Sequence, residues 1–180
     1  MESFADYILE EKDFAKKVEI VHYLQKKKEI FFDNSVVFKA TIARLFIETM
    51  EIDVDENLVT TAALLCACKK IDTAQDIEKI RGYAKEGANF LLTLGFSKRF
   101  CKICEEHNRY SGSTPREKES DILELADQLG GMLMDRPERR AFPLDEAITL
   151  LEYRNLKNVH NVYLKDFCAF IDAVKEVQAW

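Results

Sequence analysis

The chain has 180 residues, a net charge of −6, and 47% apolar against 32% charged residues. This length allows a sizeable core without disulfides, and the negative charge argues against an extended nucleic-acid surface. No segment approaches the roughly 20 apolar residues of a membrane span, and the first residues lack the basic-then-apolar order of a signal peptide. We therefore expect a cytoplasmic protein without a membrane segment, whose five cysteines are reduced thiols.

Apolar residues recur at helical spacing along almost the whole chain, as at Phe38, Ile42, Leu45 and Phe46. The sequence contains only 6 Gly and 3 Pro, and alternation of period two is not sustained anywhere. These features predict an all-α fold, a compact single-domain bundle of about seven to nine helices.

The first helix is predicted to begin near Ser3, which is a suitable N-cap. The stretch "QKKKEIFFDNS" then indicates a break, after which residues 33–35 offer the next N-cap, for a helix over 36–50. A third helix over 56–69 contains the stretch "AALLCACKK" and is apolar nearly all round. We therefore expect this third helix to be central and buried.

The fourth helix is predicted to begin at residues 72–73 and to end at Gly95. Pro143 occupies a position favoured in the first turn of a later helix. The remaining helices are predicted over 97–110, 121–134, 143–154 and 161–177. Gly130 and Gly131 fall inside a helix, where each costs about 1 kcal/mol relative to Ala, so we expect them to permit close helix packing.

The cysteines form two patterns, a C-x-C and a C-x-x-C, at Cys66, Cys68, Cys101 and Cys104. Four thiolates at such spacings are typical of a structural zinc site. Both pairs fall inside apolar helical segments, however, where residues two apart point about 200° away from each other. The favoured interpretation is four buried free cysteines that act as small apolar residues, with a zinc site as the alternative.

Four stretches resemble, in order, the motif regions of an HD-type phosphohydrolase of the HD-GYP subgroup: "ALLCACKK", "RGYAKEGANFLL", "EEHNRYSGSTP" and "ILELADQLGGMLMDRPERRAFPLDEAI". The last stretch is the most specific, because it matches in order, spacing and residue type over most of its length. The resemblance covers about Asn34 to Val177. It implies one HD-like helical domain over 1–180, with residues 1–33 as an N-terminal helical extension and 34–177 as the core.

Members of that family bind divalent metals through His and Asp and hydrolyse phosphodiesters, typically cyclic di-GMP. The resemblance places the family's metal-ligand positions on Asn34, Cys66, Ala67, Tyr83, Glu106, His107 and Asp127. Of these, His107 and Asp127 keep the family's residue type, whereas Ala67 has no donor atom at all. We therefore expect no catalytic residue and no bound metal, and a single divalent metal on His107 and Asp127 is the alternative.

Basic residues survive around these positions, at Lys70, Arg109, Arg136, Arg139 and Arg140. Guanidinium groups suit bidentate recognition of phosphate, so these residues are candidates for anion binding. The alternative for the arginine turn is a set of solvated ion pairs with Asp135, Glu138 and Asp145.

The resemblance and the lost ligands together predict a catalytically inactive binding or regulatory module of bacterial signalling. Its partner would be a nucleotide or other phosphorylated small molecule, or another protein. One alternative is a residual metal-dependent phosphohydrolase. The other is a purely structural interaction protein whose old pocket is filled by side chains such as Tyr83 and Cys66.

Overall fold

The computed structural model describes residues 3–28, 30–70, 77–108, 116–136, 139–156 and 161–178. Within these ranges the chain forms nine α-helices and no strand, apart from an isolated bridge between Arg136 and Arg139. The helices are α1 (Phe4–Glu10), α2 (Phe14–Lys28), α3 (Asn34–Met50), α4 (Glu56–Leu65), α5 (Ile77–Thr93), α6 (Lys98–Glu106), α7 (Lys118–Met132), α8 (Leu144–Leu156) and α9 (Leu164–Gln178). The predicted all-α class is confirmed.

Local capping interactions fix several helix ends where the sequence predicts them. Ser3 and Asp6 form a reciprocal capping box at the start of α1. The Asp33 carboxylate accepts hydrogen bonds from the first backbone amides of α3, and Gly95 follows α5 with a φ of 95° that suits glycine. The predicted start of the fourth helix, at 72–73, lies outside the described residues.

Several helix boundaries differ from the prediction by a few residues, and two of these differences have a clear cause. The first predicted helix is two helices, because Asp13 begins α2 by accepting hydrogen bonds from the amides of Ala15 and Lys16. The third ends at Leu65 rather than Lys69, and residues 66–69 form a turn. The carbonyl of Cys68 accepts a hydrogen bond from the amide of Phe31, 2.8 Å away, so a contact from the loop before α3 replaces the helical ladder.

The helix α4 is the centre of the fold, as predicted. It packs against α3, α6 and α7, and the two N-terminal helices, α1 and α2, also pack against it. All of its residues from Val59 to Leu65 are buried. At the other side of α3, the fully buried Phe46 packs on Phe167 of α9, with ring centroids 5.0 Å apart. No helix within the described residues is long and apolar enough to cross a membrane.

Gly130 allows α3 and α7 to approach closely, as predicted for the glycine pair. A Cβ atom at Gly130 would lie 2.6 Å from Cγ of Lys39, whose side chain crosses α7 at this point. A Cβ atom at Gly131 would meet only the end of the Arg136 side chain, with Nη2 2.9 Å away. Arg136 is exposed and has room to move, whereas Lys39 is buried.

We expect Gly130→Ala to lower the free energy of unfolding by about 1 kcal/mol, because the clash with Lys39 outweighs the gain in helix propensity. Gly131→Ala is the matched control and should be neutral or stabilising by up to about 1 kcal/mol. In a Lys39→Ala background the effect of Gly130→Ala should change sign. Urea unfolding of the four variants measures this, and equal effects of the two glycine changes in the wild-type background would contradict it.

Candidate functional site

The imidazole of His107 is buried at the C-terminal end of α6, and both ring nitrogens have hydrogen-bond partners. Nδ1 lies 2.5 Å from the carbonyl oxygen of Cys104, which only accepts, so Nδ1 carries the proton. Burial lowers the pKa of His107, which keeps the ring neutral and leaves a lone pair on Nε2. The Tyr83 hydroxyl lies 3.1 Å from Nε2, and because burial raises the pKa of Tyr83, it donates its proton there.

The carboxylate of Asp127 forms an ion pair with the ammonium group of Lys39. Nζ lies 2.5 Å from Oδ1, and the side chain of Lys39 is 9% exposed against 29% for Asp127. Burial alone would raise the pKa of Asp127, but the positive charges of Lys39 and Lys70 hold that pKa well below its ordinary value. Lys39 thus supplies the positive charge that keeps Asp127 ionised.

Apolar packing occupies the space beside these polar groups. Ala67 is buried in a small cluster with Tyr83 and Ala84, and Phe31 packs against it. Cys66 is also buried, and burial together with the charge of Asp127 raises the pKa of its thiol, so the sulfur stays protonated. At this end of α4, buried side chains therefore pack against one another.

Two of the predicted ligand positions lie away from this cluster. Glu106 is fully buried, but Oε2 accepts hydrogen bonds from the Glu117 amide at 2.8 Å and the Ser120 hydroxyl at 3.1 Å, at the start of α7. Its Oε1 lies 3.5 Å from Nζ of Lys102. Asn34 is exposed on the first turn of α3. Neither side chain joins His107 and Asp127.

The residues present do not fit the metal centre that the family resemblance implies. Nε2 of His107 already accepts a hydrogen bond from Tyr83. Asp127 is paired with Lys39, and Ala67 offers no donor atom. Among the described residues, which include every cysteine, no group of three or more His, Cys, Asp and Glu has the geometry of a metal site.

Four of the cysteines are buried free thiols, which agrees with the prediction that they act as small apolar residues. Cys66, Cys68, Cys101 and Cys104 are all buried and none forms a disulfide. Burial raises the pKa of Cys68 to about 12 and that of Cys101 to about 11. Protonated thiols are weak nucleophiles, and all four cysteines belong to the apolar core, so they act in packing.

Among the candidate anion-binding residues that the structure describes, Lys70 combines burial with donors that have no partner there. Its half-buried ammonium has no hydrogen-bond or ion-pair partner among the described residues. Burial lowers the pKa of Lys70, and the positive charges of Lys39 and Arg136 lower it further, against the effect of Asp127. Lys70 therefore lies near two other cations and one carboxylate, and that carboxylate is already paired with Lys39.

The arginines of the following turn differ in their roles. Arg139 donates to the carbonyls of Met132 at 3.2 Å and Arg140 at 2.9 Å and also to that of Gly131, while its guanidinium covers the Phe142 ring. Its donors are thus used to close the C-terminal end of α7. Arg136 and Arg140 are exposed, and Arg136 donates one bond from Nε to Gly131. Arg109 lies outside the described residues.

Sequence reasoning missed Lys39, although the sequence contains a signal for it. The buried positions of α3 include Val36, Ala40 and Ala43, and Lys39 falls on the same face. A lysine on an apolar helical face requires a buried partner or a path to solvent. Its partner, Asp127, lies 88 residues away, so the sequence alone does not identify it.

A second buried network, around Arg116, also went unpredicted. The Arg116 side chain is 8% exposed, with Nε 3.1 Å from Asp121 and Nη1 2.5 Å from Glu124. Its Nη2 donates to the Glu106 carbonyl oxygen at 3.0 Å. Asp121 in turn accepts from the Val162 amide at 3.1 Å, so the network joins α6, α7 and the segment before α9.

Comparison with protein-family models, with curated proteins and with solved structures finds no match for the chain. The fold and site of the described residues define an all-α protein with a buried lysine–aspartate pair beside a half-buried lysine that has no hydrogen-bond partner among those residues. The resemblance to the HD-GYP phosphodiesterases stays a prediction.

Proposed function

We propose that the chain is a catalytically inactive relative of the HD-GYP phosphodiesterases that binds a phosphate-bearing small molecule, such as a nucleotide. The ligand would be held by Lys70 and Arg136, with Arg140 at the edge of the site. The observation that carries the proposal is the Lys70 ammonium, which is half-buried, next to two other cations, and without a hydrogen-bond partner among the described residues.

An anion at Lys70 would relieve two unfavourable conditions at once. A desolvated ammonium without an acceptor is costly, and like charges at Lys39 and Arg136 add repulsion. Phosphate oxygens supply acceptors and negative charge together. Because the site needs protonated Lys70, affinity should fall as the pH rises through the lowered pKa of that group.

The loss of hydrolysis in this proposal rests on the contacts of the two retained ligand positions. Tyr83 donates to the lone pair of His107, and Lys39 neutralises Asp127, so neither of these two retained ligands is free to bind a metal and activate a water. The packing of Ala67 with Tyr83 and Phe31 supports a second candidate, an interaction protein with a filled pocket and no small ligand.

Calorimetric titration with pyrophosphate, ATP and cyclic di-GMP tests the proposal. At least one of them should bind saturably, and Lys70→Gln and Arg136→Gln should each weaken binding by about tenfold or more, since each removes a charge-assisted hydrogen bond. Lys165→Gln, which removes an exposed charge on α9, is the matched control and should bind as the wild type does.

Two results would contradict the proposal in different ways. Absence of saturable binding for all three compounds would favour the interaction protein with a filled pocket. Hydrolysis of a phosphodiester that requires added Mn²⁺ or Fe²⁺ and is lost in His107→Ala and Asp127→Ala would favour the residual hydrolase.

A further inference from the structure

A cleft lies at the opposite end of α4 from Lys70, where α2, α3 and the first turns of α4 meet. Its volume is about 460 Å³, within the range of small-molecule sites. Basic side chains line one part of it, namely Lys12, Lys17 and Arg44. The N-terminal turn of α4 contributes acidic side chains, Asp55 and Glu56.

The buried end of the cleft contains polar groups that are not fully satisfied by the protein. Lys17 is 1% exposed, and Nζ donates to the Ile8 carbonyl at 2.7 Å and to the Thr61 hydroxyl, which itself donates to Asn57. An ammonium has three donors, so one donor of Lys17 has no partner among the described residues. Thr60 also lines the cleft, is 3% exposed, and its hydroxyl has no hydrogen-bond partner among the described residues.

The charge state of Lys17 leaves this third donor in place at neutral pH. Burial lowers the pKa of Lys17 to about 8, against the opposing effect of the Glu11 and Asp55 carboxylates. The amine is therefore mostly protonated at pH 7 and needs a further acceptor. Lys17 and Thr60 both line the cleft, and a buried donor and a buried hydroxyl in one cleft favour an oxygen-bearing anionic group.

Arg44, one of the basic residues that line the cleft, offers additional hydrogen-bond donors for the same anionic group of a ligand. The Arg44 guanidinium lies 5.2 Å from the centroid of the Phe14 ring, and its Nε is 3.3 Å from Oε1 of Glu48. Its terminal nitrogens have no hydrogen-bond partner among the described residues. They form the planar fork that suits a carboxylate.

The acidic residues that line the cleft argue against a site that binds a simple anion. Asp55 caps α4 by accepting from the Leu58 amide at 3.0 Å through Oδ1, which leaves Oδ2 available. Glu56 follows it in the first turn. A ligand with only a negative charge would be repelled by these carboxylates, and one with only a positive charge by Lys17 and Arg44.

We infer that this cleft binds a small zwitterion, a free amino acid or a compound of the same charge pattern. Its carboxylate lies against Lys17, Thr60 and Arg44, and its ammonium faces Asp55 and Glu56. Phe14 provides the apolar surface beside Arg44 for the carbon skeleton of the ligand. The site is separate from the proposed phosphate site, and neither depends on the other.

The test is titration of the full chain at pH 7 with the set of L-amino acids, followed by calorimetry or by NMR chemical shifts. At least one should bind saturably in the millimolar range or tighter. Its analogues without the amino group, or without the carboxyl group, should bind at least about tenfold more weakly. Arg44→Gln and Glu56→Gln should each reduce affinity by a similar factor, while Lys165→Gln should not change it.

Circular dichroism and the Tm of each variant verify that the fold is intact, because Arg44 and Glu56 lie near the surface and are expected to be tolerated. Absence of saturable binding for every amino acid would overturn the inference and leave a cleft that holds only solvent. If the analogue without the amino group bound as tightly as the amino acid, the inference would also be overturned, since the site would then be one for simple anions.

Discussion

Replacing Arg116 with methionine is expected to lower the free energy of unfolding by about 3–5 kcal/mol. The side chains of Arg116, Asp121 and Glu124 are all less than a tenth exposed. Without the guanidinium, two carboxylates remain buried in a medium that stabilises charge poorly. Urea unfolding followed by circular dichroism at pH 7 measures the loss.

Arg116→Lys separates charge from geometry in the same network. Lysine keeps the positive charge but loses the planar fork that contacts Asp121, Glu124 and the Glu106 carbonyl together, so its effect should be intermediate. Adding Asp121→Asn and Glu124→Gln to Arg116→Met should recover part of the loss, because neutral amides cost less to bury. A loss below about 1 kcal/mol in Arg116→Met would contradict a buried network and indicate a solvated one.

The parts of the fold that follow from local interactions were predictable from the sequence. The caps at Ser3 and Asp33 and the helix stop at Gly95 each depend on residues within a few positions of one another. The early end of α4 depends instead on the hydrogen bond between Phe31 and Cys68, which no local pattern contains. Tertiary contacts of this kind override the helical preference of the sequence.

The candidate site shows the same division. The family resemblance places metal-ligand positions on the adjacent residues Glu106 and His107, yet successive helical residues point about 100° apart. Glu106 therefore faces the start of α7, and His107 faces Tyr83. Helical geometry alone could have separated them.

The position of Lys39 could not be inferred, because it depends on how α3 crosses α7. Gly130 permits that crossing, and the sequence showed only that two glycines lay in a helix. The lysine changes the interpretation of the site: the charge that neutralises Asp127 comes from the chain itself. Because Asp127 pairs with Lys39, Lys70 has no ion-pair partner among the described residues, which is the basis of the proposed anion site.

Lys39→Met is therefore expected to lower the free energy of unfolding by about 2–4 kcal/mol at pH 7. Methionine keeps most of the side-chain volume above Gly130 but leaves the Asp127 carboxylate without its direct partner. The value is smaller than for Arg116 because Asp127 is 29% exposed and Lys70 remains near it. Urea unfolding at pH 7 measures the change.

The pH dependence identifies the ion pair as the cause. A carboxyl group with a lowered pKa in the folded state stabilises the protein above its unfolded pKa of about 3.9, and this contribution is lost as the pH falls through the folded pKa. In Lys39→Met the pKa of Asp127 should instead be raised by burial, so the variant gains stability relative to the wild type as the pH falls from 7 towards 4. The difference between the two proteins should shrink over that range. The double variant Lys39→Met, Asp127→Asn should lose less than Lys39→Met alone and show no such convergence, and a pH-independent difference in the single variant would show that lost packing is the cause.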